Sequence, residues 1–393
     1  MSARALLSAA LLVLLVPACA PGDSPVAPPE GRDALVPAAR SGQVVDGTTG
    51  PGSLYRFVVP ENWNGLLIVY AHGYVSPDEP VALPQEAELL AALLAPQGIA
   101  LAYSSFSENG WVVKDGTQRT HQLLGLFASE FGMPARVYVG GASMGGLVAI
   151  KLVERYPGTY RGALAACSVA GGTRENADYR AHVRAVFDVL YPGVLPGSAA
   201  ELPAGTDVET QIILPALQAM SLDLSGAFFM AGLDQTPLPW ASVPELVESI
   251  VTALVGNAGD LRDEVLTRGK PYFDNSATVY SGAAVPGPVL ALINASVDRF
   301  EASPAALAAL DHDYDPSGDL NLPMLMLSNV RDPVVPGFNQ ASYLEAVTGS
   351  GAADLLVQRT VPRYGHCVFT PEELGTALSD LLAWAELGIV PTP

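Results

Sequence analysis

The stretch Gly141-Ala142-Ser143-Met144-Gly145 puts a serine where the chain passes from a strand-like run, Arg136–Val139, into helix-like sequence ending at Arg155. Glycines two residues to either side allow a sharp turn, because a Cβ at those places would clash. A helix starting at Met144 would direct its positive dipole, and the free N–H of that residue, at any negative oxygen forming beside Ser143. The chemistry this suggests is nucleophilic attack on a carbonyl carbon by the serine hydroxyl. The five-residue pattern alone is weak. Its setting between strand and helix gives it weight.

A hydroxyl attacks only when a base takes its proton, and the base needs a carboxylate to fix its tautomer. The chain has five histidines. His366, in Tyr364-Gly365-His366-Cys367, sits in a glycine-containing loop between a strand-like run and the last helix-like one, and is assigned as the base. His72 ends an apolar strand; His121 falls mid-helix, and His182 and His312 read as surface or packing residues. The acid should follow the strand that precedes the histidine's strand. Asp332, in Asn329-Val330-Arg331-Asp332-Pro333, stands there. Its bland reading, an Asx-turn before proline, is compatible with that role.

The elements that must position these groups alternate in type from Gly42 onward, as in a mostly parallel sheet flanked by helices. Ser53–Val59, Leu66–Ala71, Ile99–Tyr103 and Tyr160–Ser168 read as strands, with helices over Pro84–Ala95 and Thr117–Phe131. The continuous apolar run at Leu66–Ala71 fits a strand buried on both faces. From about Arg174 to Tyr314 the alternation stops, and the sequence reads as helical or irregular. It resumes at Leu322–Leu327, Leu355–Val361 and the helix Pro371–Leu387. The boundaries expected are a leader over 1–19, a tether over 20–44, one core over 45–173 and 318–393, and an insertion over 174–317.

The leader combines Arg4 with an apolar stretch, Ala5–Val16, too short to span a bilayer. It closes on Val16-Pro17-Ala18-Cys19, similar to the box at which bacterial lipoproteins are cut and acylated on cysteine. The expectation is an exported envelope protein with lipid on Cys19 and a membrane partner through that anchor, or else a plainly secreted one. With 49% of residues apolar and 15% charged, disorder is excluded. A net charge of −20 repels polyanions, so nucleic acid is not expected as a partner. Asp311, Asp313, Asp315 and Asp319 alternate like calcium ligands, but Pro316 and the missing terminal glutamate argue against such a loop. No metal site is assigned.

Taken together, the strand-end His72-Gly73, the serine turn, Asp332 and His366 resemble the α/β-hydrolase superfamily over residues 45–175 and 318–390. Trp63-Asn64-Gly65, Asn109-Gly110-Trp111 and His366-Cys367-Val368-Phe369-Thr370 are similar to exported bacterial esterases. The resemblance implies an α/β-hydrolase fold whose sixth strand is followed by a mainly helical lid. It also implies the order nucleophile, acid, base that Ser143, Asp332 and His366 follow, no cofactor, and an oxyanion hole made by the N–H groups of Tyr74 and Met144. In such a fold the ends of two strands bring Cys167 and Cys367 to one side of the sheet, where a disulfide could pin the His366 loop. Phe106, Trp111, Tyr74, Phe228 and Phe229 are candidates for an acyl pocket. The expected activity is hydrolysis of a small-molecule or lipid-like carboxylic ester. A serine peptidase with the same triad, or a surface protein that binds without cleaving, are the alternatives.

Overall fold

The computed structural model describes residues 42–50, 52–263, 266 and 270–393. The expected leader, Cys19 and all but the end of the tether lie outside the described residues. The tether was expected to reach residue 44, whereas the first strand already begins at Gln43.

One eight-stranded sheet organises the molecule, in the order β1-β2-β4-β3-β5-β6-β7-β8. β1 (Gln43–Thr49) and β2 (Ser53–Val59) form an antiparallel hairpin, and β2 joins β4 (Ala100–Ser104) antiparallel. From β4 onward through β3 (Leu66–Ala71), β5 (Arg136–Ala142), β6 (Ala163–Ala166), β7 (Met324–Arg331) and β8 (Leu356–Tyr364) all pairing is parallel. Every residue of β3 is buried, as its unbroken apolar run requires. Leu67, Val69 and Ala71 face the core beneath α2 (Val113–Phe131) and α3 (Met144–Arg155); Leu66, Ile68 and Tyr70 face the core beneath α1 (Gln85–Leu94) and α11 (Pro371–Leu387). α11 begins with a capping box in which Thr370 and Glu373 each satisfy the other's backbone N–H.

Between β6 and β7 the described residues form helices and no strand: α4 (Thr173–Leu190), a π-turn (Glu209–Ile213) leading into α5 (Leu214–Leu222), α6 (Ser225–Ala231), α7 (Val243–Arg262), α8 (Gly287–Ser296) and α9 (Pro304–Asp313). α10 (Phe338–Gly349) then connects β7 to β8. In α4, Arg180 forms a buried ion pair with Asp260 of α7, which fastens the two longest helices of the insertion together.

His182 of α4 packs between the rings of Phe273 and Tyr280, with Nδ1 2.9 Å from the Tyr280 hydroxyl. Burial pushes its imidazole down from 6.5 to about 4. A base held below its ordinary value stabilises the fold above that value, and the contribution disappears as pH falls from 6.5 toward 4. Thermal unfolding of His182→Gln should therefore fall less steeply than the parent's across that window. Superimposable melting temperatures at every pH would assign the acid sensitivity elsewhere.

Candidate active site

β5 ends in the core and the chain turns at Ser143, which has φ 57° and ψ −124°, before α3 begins at Met144. Positive φ in a residue with a Cβ costs on the order of 1–2 kcal/mol, so the surroundings must enforce it. They do so through backbone contact. Ser143 donates its N–H to the Ala166 carbonyl at 2.9 Å and accepts from Gly146 at 3.0 Å. A Cβ on Gly141 would lie 2.0 Å from the Gly145 oxygen, and one on Gly145 would lie 2.1 Å from the Ala71 oxygen. Only hydrogen fits at either place, and the serine side chain is left projecting from the turn.

Its Oγ meets His366 Nε2 at 2.9 Å, and His366 Nδ1 meets Asp332 Oδ2 at 2.7 Å. These three residues span more than half the chain, yet each stands at the carboxyl end of its strand: β5, β7 and β8. Asp332 is 1% exposed in its side chain, and its other oxygen accepts the N–H groups of Val334 and Val335 at 2.9 and 3.0 Å. The Asx-turn expected from Asp332-Pro333 is thus present, and the same turn presents the second oxygen to the histidine. Because a carboxylate only accepts, Nδ1 carries the hydrogen and Nε2 is left to accept the serine proton.

Three further devices fix the His366 loop. Gly365 donates its N–H to the Arg331 carbonyl, and Asn329 and Val368 exchange two hydrogen bonds of 3.0 Å. A disulfide joins Cys367 to Cys167, just past the end of β6. The sulfur of Cys367 lies 3.4 Å from His366 Nε2. Cys167, Cys367 and His366 form a compact group of metal-ligand type, but the two sulfurs are bonded to each other and neither is available as a thiolate.

The loop after β3 passes directly beside the nucleophile, since a Cβ on Gly73 would be 3.4 Å from that of Ser143. His72 Nδ1 donates to the Gly73 carbonyl at 2.7 Å while its ring stacks on Phe106. Burial lowers the His72 value, which keeps it neutral as a brace for this loop. The N–H groups of Tyr74 and Met144 have no acceptor among the described residues. Five aromatic residues were named for an acyl pocket. Tyr74 packs on Trp111, Phe106 is fully buried against His72, and Phe228 is exposed beside Trp240. Asp311 and Asp313, considered as calcium ligands, pair with Arg174 and Lys114, and Asp315 accepts the Arg174 N–H.

Contacts from the insertion were not anticipated. Glu245 of α7 pairs with Arg331, next to Asp332, at 3.0 Å. Ser249 lies 3.2 Å from the hydroxyl of Tyr364, two residues before His366. Asp260 and Asp263 accept from the side chain and backbone of Trp111, beside Tyr74. Helix α7 and the residue after it thus reach Arg331, Tyr364 and Trp111, which adjoin Asp332, the His366 loop and Tyr74. No local pattern marks these pairs, which lie 86 to 152 residues apart.

No family model matches the sequence, and no curated protein matches it. Among solved structures, feruloyl esterase B from Aspergillus oryzae superposes with a TM-score of 0.50 at 13% identity, covering 88% of this chain and 81% of that one. Tannin acyl hydrolase from Aspergillus niger gives 0.50 at 13% identity, over 88% and 77%. Proline iminopeptidase from Mycobacterium smegmatis gives 0.46 at 14%, over 88% and 99%. At such identities the likeness is one of fold.

Proposed function

The chain has the α/β-hydrolase fold, and we propose that on this fold it is an exported serine hydrolase that cleaves carboxylic esters. The observation that carries the reading is the unbroken series Ser143 Oγ–His366–Asp332 at 2.9 and 2.7 Å. In the proposed reaction His366 Nε2 takes the hydroxyl proton as Ser143 Oγ attacks the ester carbonyl. Asp332 holds the imidazolium that forms. The Met144 and Tyr74 N–H groups receive the oxyanion, each contributing about 3 kcal/mol of transition-state stabilisation. Collapse of the tetrahedral species expels the alcohol, which takes its proton from His366. Water, deprotonated by the same imidazole, then releases the acid and restores the serine.

Ester rather than amide is preferred because the long middle part of the insertion offers no cation to hold a peptide's carboxylate. No Lys, Arg or His occurs between Arg184 and Arg262, which suits an uncharged, fairly apolar substrate. The helical insertion serves as the lid in this reading. Export and lipidation at Cys19 rest on the leader sequence alone. A non-catalytic binding protein has no use for the complete set of groups present here.

The discriminating experiment compares p-nitrophenyl butyrate with alanine p-nitroanilide. Ester turnover should exceed anilide turnover by at least a hundredfold in kcat/KM. Faster release from the anilide would establish a peptidase instead, and release from neither would overturn both.

A further inference from the structure

Single exposed apolar side chains are ordinary on any surface, whereas a connected set beside an active site marks a binding face. Such a pair, Phe228 and Trp240, stands in the insertion, and further exposed apolar side chains follow at points toward the loop of His366. Phe228 of α6 and Trp240, 43% and 39% exposed, meet edge-to-face with ring centres 6.0 Å apart. Three residues on from Trp240, Val243 opens α7, also exposed. Two further on, Glu245 grips Arg331, which brings the exposed Val330 alongside. The reciprocal bonds of Asn329 with Val368 carry the surface to Val368, exposed and two residues from His366. Leu222, at 81% the most exposed of the large apolar side chains among the described residues, ends α5 just before the bend into α6.

The helices beneath this surface bury one apolar side and expose a mixed one. Glu209–Leu222 and Ser225–Ala231 are apolar enough together to enter a membrane but are bent by 105° at their junction. Ala216, Met220, Ala227 and Met230 are already buried in the protein. On the free outer side Leu214, Leu222 and Phe228 stand among the polar Thr210, Gln211, Gln218 and Ser221, a mixed face that suits lying in an interface and not crossing it. Charge narrows the partner. The segment from 185 to 261, which supplies α5, α6 and all but the last residue of α7, contains nine carboxylates and no cation, and the nearby Arg331 and Arg363 are paired with Glu245 and Glu373. Anionic headgroups would find nothing to bind. An exposed tryptophan beside a phenylalanine suits the headgroup boundary of a neutral bilayer.

We propose that this face, formed by α6, the start of α7 and the loops after β7 and β8, seats the chain on a zwitterionic lipid surface with the mouth of the Ser143 site turned toward the lipid. The inference rests on the anchored-hydrolase reading above. An acylated Cys19 would be joined to the folded chain by 22 residues, a reach of at most ~75 Å, so the anchor brings the protein to the bilayer without choosing a face. The patch makes that choice.

The test uses the full chain with unilamellar vesicles of dibromo-phosphatidylcholine, whose bromine atoms quench tryptophan on contact. Trp111 and Trp384 are buried, and Trp63 is half-buried with its indole N–H bonded to the Leu66 carbonyl. Trp240 is therefore the tryptophan that lipid can reach. The chain should sediment with the vesicles and lose emission. That loss should fall at least fivefold in Trp240→Phe, and in Leu222→Ser/Phe228→Ser, whose substitutions are at exposed positions. Equal quenching in parent and variants, sedimentation with no quenching, or failure to sediment would each overturn the proposal. So would self-association through this face in place of vesicle binding. Ester turnover recorded on the same preparations reads the hydrolase proposal separately.

Discussion

Ser143→Ala should lower kcat for ester hydrolysis by about a millionfold while leaving the melting temperature within about 2 °C of the parent's. The size of the effect follows from the division of labour at the site. Without Oγ there is no acyl-enzyme, and water must attack directly with only the N–H groups of Tyr74 and Met144 to help. Oxyanion donors and binding alone leave roughly 10³–10⁴ of acceleration over solution. The small effect on stability follows from the contacts. The serine side chain makes one hydrogen bond, to His366. What holds the residue at φ 57° is its backbone, bonded to Ala166 and Gly146, and the substitution leaves that unchanged. A variant that lost activity by unfolding would show it in the melting curve. Retained turnover in a folded variant would remove Ser143 from the reaction.

The second large effect is expected at Asp332→Asn, about 10⁴ in kcat. Asparagine fills the same volume, and its oxygen can still accept the Val334 and Val335 N–H groups that now bond to Oδ1. The position facing His366 then becomes an NH₂. Two donors cannot share one hydrogen bond, so the imidazole must move its hydrogen from Nδ1 to Nε2. In that tautomer it presents a hydrogen to Ser143 and can no longer take one. The prediction therefore couples a large loss of kcat to a small change in KM and an undisturbed fold. A loss below about tenfold would mean that the histidine does not need this carboxylate.

Much of this was legible because the residues concerned act over short sequence distances. The strand–Ser143–helix turn is local: Gly141 and Gly145 leave no room for a Cβ, and their spacing reports that directly. The buried parallel strands announce themselves as unbroken apolar runs. Errors occurred where local and tertiary demands differ. Helix α2 starts at Val113, four residues earlier than expected. Gly116 reads as a helix breaker, yet it is in the helix because Phe106 and Val148 pack where its Cβ would be, at 3.1 Å each. β1 was missed because Asp46-Gly47-Thr48-Thr49 reads as a turn, and an edge strand with one exposed face carries little apolar signal. β6 is shorter than Tyr160–Ser168 suggested, since the apolar residues after Ala166 line the bend toward the insertion. In the insertion α5 and α6 carry apolar residues on the outer side as well as the buried one, so periodicity assigns them no inner face. The braces from Glu245, Ser249 and Asp260 to the loops around Ser143 join residues far apart in the chain, and nothing at either end foretells the other.

The groups that must act together were therefore readable one by one, while their convergence is a property of the sheet. A single covalent measurement examines that convergence. The full-length protein, treated with a fluorophosphonate and digested, should carry one phosphonyl group on the peptide containing Ser143. Labelling should be lost in Ser143→Ala and slowed at least a hundredfold in His366→Ala. Modification at a different serine, or none under conditions that label other serine hydrolases, would contradict the assignment of Ser143 as a nucleophile activated by His366.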